Sequence, residues 1–168
     1  MIKKLAISAI VLASSFLTAS EVNVYSHRHY DSDKILFKKF EETTGIKVNI
    51  VTAKAEELVS KLAIEGENTP ADVLITADIG NLHEAKSRNL LQTIDSNTLN
   101  TNIPAHLRDA NKEWFALTKR ARIFVYNPEK INEADLSDYL SLTNPKLKDK
   151  IITRSSTNAY NKALLASI

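Results

Sequence analysis

VNVYSHRHYDSDKILFKKFEETTGIKVNIV, residues 22–51, reads as a complete strand–helix–strand unit. VNVYS (22–26) alternates with period two and carries Val and Tyr, which favours a strand. Asp31, Ser32 and Asp33 then offer side-chain oxygens to a helix start. Leu36, Phe37 and Phe40 define that helix's apolar face, and Gly45 stops it. IKVNIV (46–51) is the second strand. The pattern then repeats. AKAEELVSKLAIEGEN sets Leu58, Val59 and Leu62 on one helix face and closes near Gly66; Pro70 breaks the chain. ADVLIT (71–76) reads as a buried strand, and a third helix is expected over about 80–88. Strands and helices alternating through short connections predict an α/β fold with a mostly parallel sheet.

In such sheets ligands sit beyond the carboxyl ends of the strands. His27-Arg28-His29-Tyr30 follows the first strand at such an end, and Thr76-Ala77-Asp78 follows the third on the same edge. That loop holds more ligand-capable chemistry than solubility requires. The His-x-His spacing of residues 27 and 29 also occurs at zinc sites, but it is common by chance, and His27 is expected to face solvent. His83 and His106 read as surface residues.

Further along, residues 92–112 show little periodicity and contain Pro104; one short helix is expected there. EWFALTKRARIFVYNPEKI (113–131) is β-rich until Asn127-Pro128 stops it. A second small unit follows: a helix near LSDYLSL (136–142), a turn at Pro145, a strand at KIITR (150–154), and a helix opening at SSTNAYNKALLASI. That helix is still running at Ile168, so the sequence reads as the N-terminal portion of a longer design.

Composition narrows the function. A hydrophobic share of 43% and a charged share of 25% fit a folded globular chain. MIKK followed by LAISAIVLASSFLTAS has the parts of a cleaved secretory signal over residues 1–20, its apolar run shorter than the ~20 residues of a membrane span. Lys3 and Lys4 belong to that leader, which has no acidic residue, so the remaining chain is near neutral. The sequence pI of 8.7 is therefore no nucleic-acid signature. With no cysteine, thiolate ligation, disulfides and a lipid-bearing cysteine are all excluded. With three glycines and no phosphate-cradling or nucleophile-elbow motif, enzymatic chemistry is not expected. A hydrolase or transferase built on Asp78 and His29 is the residual enzymatic alternative.

Five segments in order, VNVYSHRHYDSD, TGIKVNI, PADVLITAD, WFALTKRARIFVYN and RSSTNAYNKALLAS, resemble the periplasmic ferric-iron-binding proteins. These are the substrate-binding components of iron ABC transporters. The resemblance implies a type II periplasmic binding protein-like α/β fold and covers about the first half of a complete member. It implies a first lobe over 21–117, a hinge or crossover strand over 118–127, and the beginning of a second lobe over 128–168. Carried over motif by motif, it makes Tyr30 and His29 metal ligands from one lobe and Tyr160 a ligand from the other. One arginine of Lys119-Arg120-Ala121-Arg122 would offset phenolate charge or hold an anion; Arg120 is preferred over Arg122. Ser155 and Ser156 would present hydroxyls and N–H groups to that anion or simply cap the helix. The family's adjacent tyrosine pair has no counterpart among the five tyrosines.

The implied cargo is Fe³⁺, with a synergistic anion, and the implied partner is an inner-membrane ABC permease. A monomer without nucleic acid or covalent chemistry is expected, located in the periplasm. The chemistry is consistent: Fe³⁺ is a hard cation that suits anionic oxygen. Free tyrosine titrates near pH ~10, so a phenolate at neutral pH needs the metal's own charge. Two other expectations stay open: a binding protein of the same fold for an oxyanion or another metal such as zinc, and an inactive product of a truncated gene.

Overall fold

The computed structural model describes residues 20–28 and 30–168. Residues 1–19, which hold nearly all of the expected secretory leader, and His29 lie outside the described residues. Three parallel strands, β1 (Glu21–Ser26), β2 (Lys47–Thr52) and β3 (Val73–Ile75), form a sheet in the order β2-β1-β3. Helix α1 (Asp31–Thr44) links β1 to β2, and α2 (Ala55–Glu65) links β2 to β3. After β3 come α3 (Ile79–Ser87), α4 (Asn97–Asn102) and, near the end of the chain, α5 (Ala159–Leu165). The α/β reading and its parallel sheet are thus present as expected.

β1 is the central strand. Its register sets Ser26 beside Thr52 on one flank and Ile75 on the other, so Val24, Tyr25 and Ser26 are buried at its carboxyl end. Beneath it, Tyr25, Leu58 and Leu62 make a core that Ala53, Ala71, Leu74 and Leu90 extend. The Tyr25 hydroxyl would be costly to bury unpaired. It donates to the Glu65 carboxylate at 3.0 Å, which also accepts from Thr69 Oγ1 at 2.8 Å and pairs with Lys61. The Lys61 ammonium, first among these, holds Glu65 below the usual carboxylate range. At the end of α1, Gly45 has φ of 71°, a left-handed conformation in which its N–H reaches Glu41 O at 2.8 Å.

Several expectations are corrected. The apolar face of α1 is not buried: Leu36 is 63% and Phe40 40% exposed, because α1 lies along β2, the edge of the sheet. The third strand is shorter than ADVLIT and only half-buried, also because it is an edge. No ladder forms over 118–127, the expected hinge strand, or over 150–154. β-propensity needs a neighbouring strand to act on, and among the described residues no strand pairs with either stretch. Only the start of the β-rich segment finds a partner, in an antiparallel bridge between Arg108 and Phe115. The helix expected near 136–142 is reduced to 3₁₀ turns at 133–135 and 140–143.

Core and edge make different predictions. Leu58, fully buried, should lose about 2–5 kcal/mol of unfolding free energy on Leu58→Ala. Leu36→Ala on the exposed face should change it by less than about 0.5 kcal/mol. Urea titrations of both variants provide the check.

Candidate metal centre

The loop after β1 is held from several sides. His27 N–H donates to Ile75 O at 2.9 Å, tying the loop to the end of β3. Buried Ser26 brackets Arg28, two residues on: its hydroxyl donates to Arg28 O at 3.1 Å and accepts from Arg28 N–H at 3.0 Å. The Arg28 guanidinium forms a two-pronged pair with Asp33, Nε to Oδ2 at 2.9 Å and Nη2 to Oδ1 at 2.8 Å. Both side chains of the pair are shielded, at 18% and 15% exposure. These hydrogen bonds to Asp33 raise the guanidinium pKa above its ordinary value. Tyr30 stands at the start of α1, its carbonyl accepting from Asp33 N–H at 3.0 Å.

Tyr30 and Tyr160, far apart in sequence, meet at one guanidinium. Arg120 Nη2 donates to the Tyr30 hydroxyl at 3.0 Å. Its guanidinium carbon lies 5.9 Å from the Tyr30 ring centre and 5.8 Å from that of Tyr160. Arg122 and Arg154 also face the Tyr160 ring, at 4.9 and 5.2 Å, and Arg28 faces Tyr30 at 5.1 Å. Each distance is within reach of a cation–π attraction. The Tyr30 hydrogen bond, then the charge attraction of both phenols, pushes the Arg120 pKa upward. The two phenol rings thus lie among four guanidiniums.

Tyr160 owes its place to the turn before α5. Asn158 is the cap of that helix, its Oδ1 accepting from Tyr160 N–H at 3.0 Å. Asn161 Nδ2 donates to Arg154 O at 3.0 Å, fixing the arginine that faces the ring.

Of the expected site residues, Tyr30, Tyr160, Arg120 and Arg122 are brought together. His29 lies outside the described residues. Ser155 and Ser156 are exposed in the turn before α5; Ser155 pairs with Thr157 at 2.9 Å, and the capping role falls to Asn158. Contrary to expectation, His27 does not turn wholly to solvent: its Nδ1 is buried without a hydrogen-bond partner. Asp78 accepts from Gly80 N–H at 2.9 Å as the cap of α3, and Asp72 accepts from Asn23 N–H at 2.8 Å. Both carboxylates thus hold the scaffold. Sequence reasoning did not include Arg28 and Arg154 in the site, although both lie inside the motifs that supplied the tyrosines.

An open parallel sheet with a polar site at its strand ends defines a small-ligand-binding class. The family model of the bacterial extracellular solute-binding proteins matches residues 27–166, and the chain belongs to that family. It is a family of binding proteins, not of enzymes. Iron uptake protein A1 of Synechocystis sp. is 46% identical over 148 residues, covering 88% of this chain and 41% of that protein. The ferric binding protein from Campylobacter jejuni superposes with a TM-score of 0.82 at 53% identity, over 88% of this chain and 47% of that one. A Trichodesmium protein solved with iron and citrate ligands gives a TM-score of 0.82 at 46% identity, with coverages of 88% and 47%. The fold is that of the type II periplasmic binding proteins. The chain spans about half the length of the curated relatives it matches.

Asn158→Ala should cost α5 about 1 kcal/mol. Amide exchange at residues 160–165 should accelerate while β1 amides stay unchanged.

Proposed function

We propose that this chain supplies phenol ligands to a ferric-ion-binding component of an ABC iron transporter. The observation that carries the reading is the meeting of Tyr30 and Tyr160 at Arg120. The names of the iron uptake and ferric-binding relatives support it.

The residues suit a hard trivalent cargo. Phenol oxygen is a hard donor. Among the described residues no three His, Asp or Glu side chains gather to form a rival metal site. Fe³⁺ stabilises the phenolate form of its ligands, so loading releases protons and acid opposes it. His29 would add an imidazole beside Tyr30. Arg120, Arg122 and Arg154 would offset the charge of the phenolates, and a synergistic anion would find its donors among the same guanidiniums and Ser155 or Ser156. In this reading residues 1–20 direct export to the periplasm, 21–117 form one lobe, 118–127 flex as the hinge and 128–168 begin the other lobe. Closure of the lobes over the ion presents the surface that a permease recognises.

A second reading has the guanidinium cluster take an oxyanion without metal, favoured by three exposed arginines, Arg120, Arg122 and Arg154, around the Tyr160 ring. Titrations of the chain separate the two. With ferric citrate, a visible phenolate-to-iron charge-transfer band should appear, accompanied by proton release and fading as the pH is lowered. Tyr30→Phe and Tyr160→Phe should each weaken iron binding by about tenfold or more. Phosphate or carbonate binding with no ferric response would select the oxyanion.

A further inference from the structure

We propose that Asp33 is a positioning residue for Tyr30: through Arg28, its carboxylate fixes the phenol where the cargo is taken up. This rests on the reading of Tyr30 as a ligand. A tyrosine side chain must surrender rotamer freedom when it ligates. Asp33 counters that freedom from both ends. Its backbone N–H holds the Tyr30 carbonyl at 3.0 Å, and its carboxylate grips Arg28 through two hydrogen bonds of 2.8 and 2.9 Å. Arg28 in turn places its guanidinium 5.1 Å from the Tyr30 ring centre. The bracket from buried Ser26 immobilises the Arg28 backbone, so the arginine is fixed at both its main chain and its head group.

The pair differs from the other cations near the tyrosines. Arg120, Arg122 and Arg154 are exposed, whereas Arg28 and Asp33 are largely shielded. Because Arg28 and Asp33 neutralise each other, the clamp stiffens Tyr30 without adding net charge next to a trivalent cation. Two-pronged pairing gives geometric control that a single contact would not. Preorganising a ligand in this way strengthens binding by removing an ordering cost, not by adding a contact to the metal.

The blander role for Asp33 is to place negative charge at the start of α1, where the helix dipole favours it. Asp31 supplies the control. It occupies the same first turn, yet its side chain is 89% exposed and pairs outward with Lys34 at 2.9 Å. Asp31→Asn and Asp33→Asn remove the same charge from the same helix end, but only the second opens the clamp.

The experiment compares the full chain with Asp31→Asn, Asp33→Asn and Asp33→Glu by two readouts. NMR of the metal-free chain carrying ¹⁵N-labelled arginine and ¹³C-labelled tyrosine should show a slowly exchanging Arg28 Nε–H and a single Tyr30 ring environment. Both should be lost in Asp33→Asn, kept in Asp31→Asn and largely restored in Asp33→Glu. With ferric citrate as the probe, Asp33→Asn should weaken binding about tenfold, Asp31→Asn should leave it unchanged, and Asp33→Asn in a Tyr30→Phe background should cost nothing further. Equal losses in the two Asn variants, or an undiminished loss without the Tyr30 hydroxyl, would overturn the proposal. If the parent chain gives no ferric response, the iron reading fails, and the NMR comparison still decides whether Asp33 positions Tyr30.

Discussion

One guanidinium organises the site. Arg120 donates to the hydroxyl of Tyr30 and stands beside the ring of Tyr160, and so joins the loop after the first strand to the last helix. A cation between two phenols is favourable because the ring faces and oxygens are both electron-rich. The same geometry sets two phenols, each a hard oxygen donor, against a common guanidinium. Without that meeting, Tyr30 would be an exposed loop residue and Tyr160 part of a helix's first turn.

The scaffold delivers each tyrosine by ordinary means. Because β1 is the central strand, its last residues are buried, and Ser26 grips the following loop from a fixed base. Helix α1 starts as the loop ends, and its first turn returns two interactions to the loop through Asp33. On the other side, Asn158 orients Tyr160 by capping α5, and Asn161 ties down the Arg154 carbonyl. Capping and loop-to-helix pairing, both local devices, thus place groups that act together over a long span of sequence.

The legible part of the fold was its local part. Period-two runs marked β1 and β2, Gly45 marked the end of α1, and Leu58 and Leu62 marked the buried face of α2. Elements that depend on partners were misjudged. Residues 118–127 and 150–154 have the side chains of strands but no neighbouring strand among the described residues, and Leu36 has a helical spacing but only an edge beneath it. In the site, Tyr30 and Tyr160 were legible through family-like motifs, not through spacing, since nothing local says that they meet. Arg28 and Arg154 were overlooked because their role lies in where their side chains point. Asp33 read as a helix-start residue, although Tyr30 stands at the cap and the Asp33 carboxylate turns to the loop.

Family membership and the solved neighbours set this arrangement in a context of solute capture, and the two arginine-ringed phenols give that context a chemistry. Resonance Raman spectroscopy of the chain mixed with ferric citrate, excited in the visible, tests it most directly. The account predicts enhanced tyrosinate ring modes that diminish when either residue 30 or residue 160 is phenylalanine. A spectrum without tyrosinate modes, or one that both substitutions leave unchanged, would contradict it.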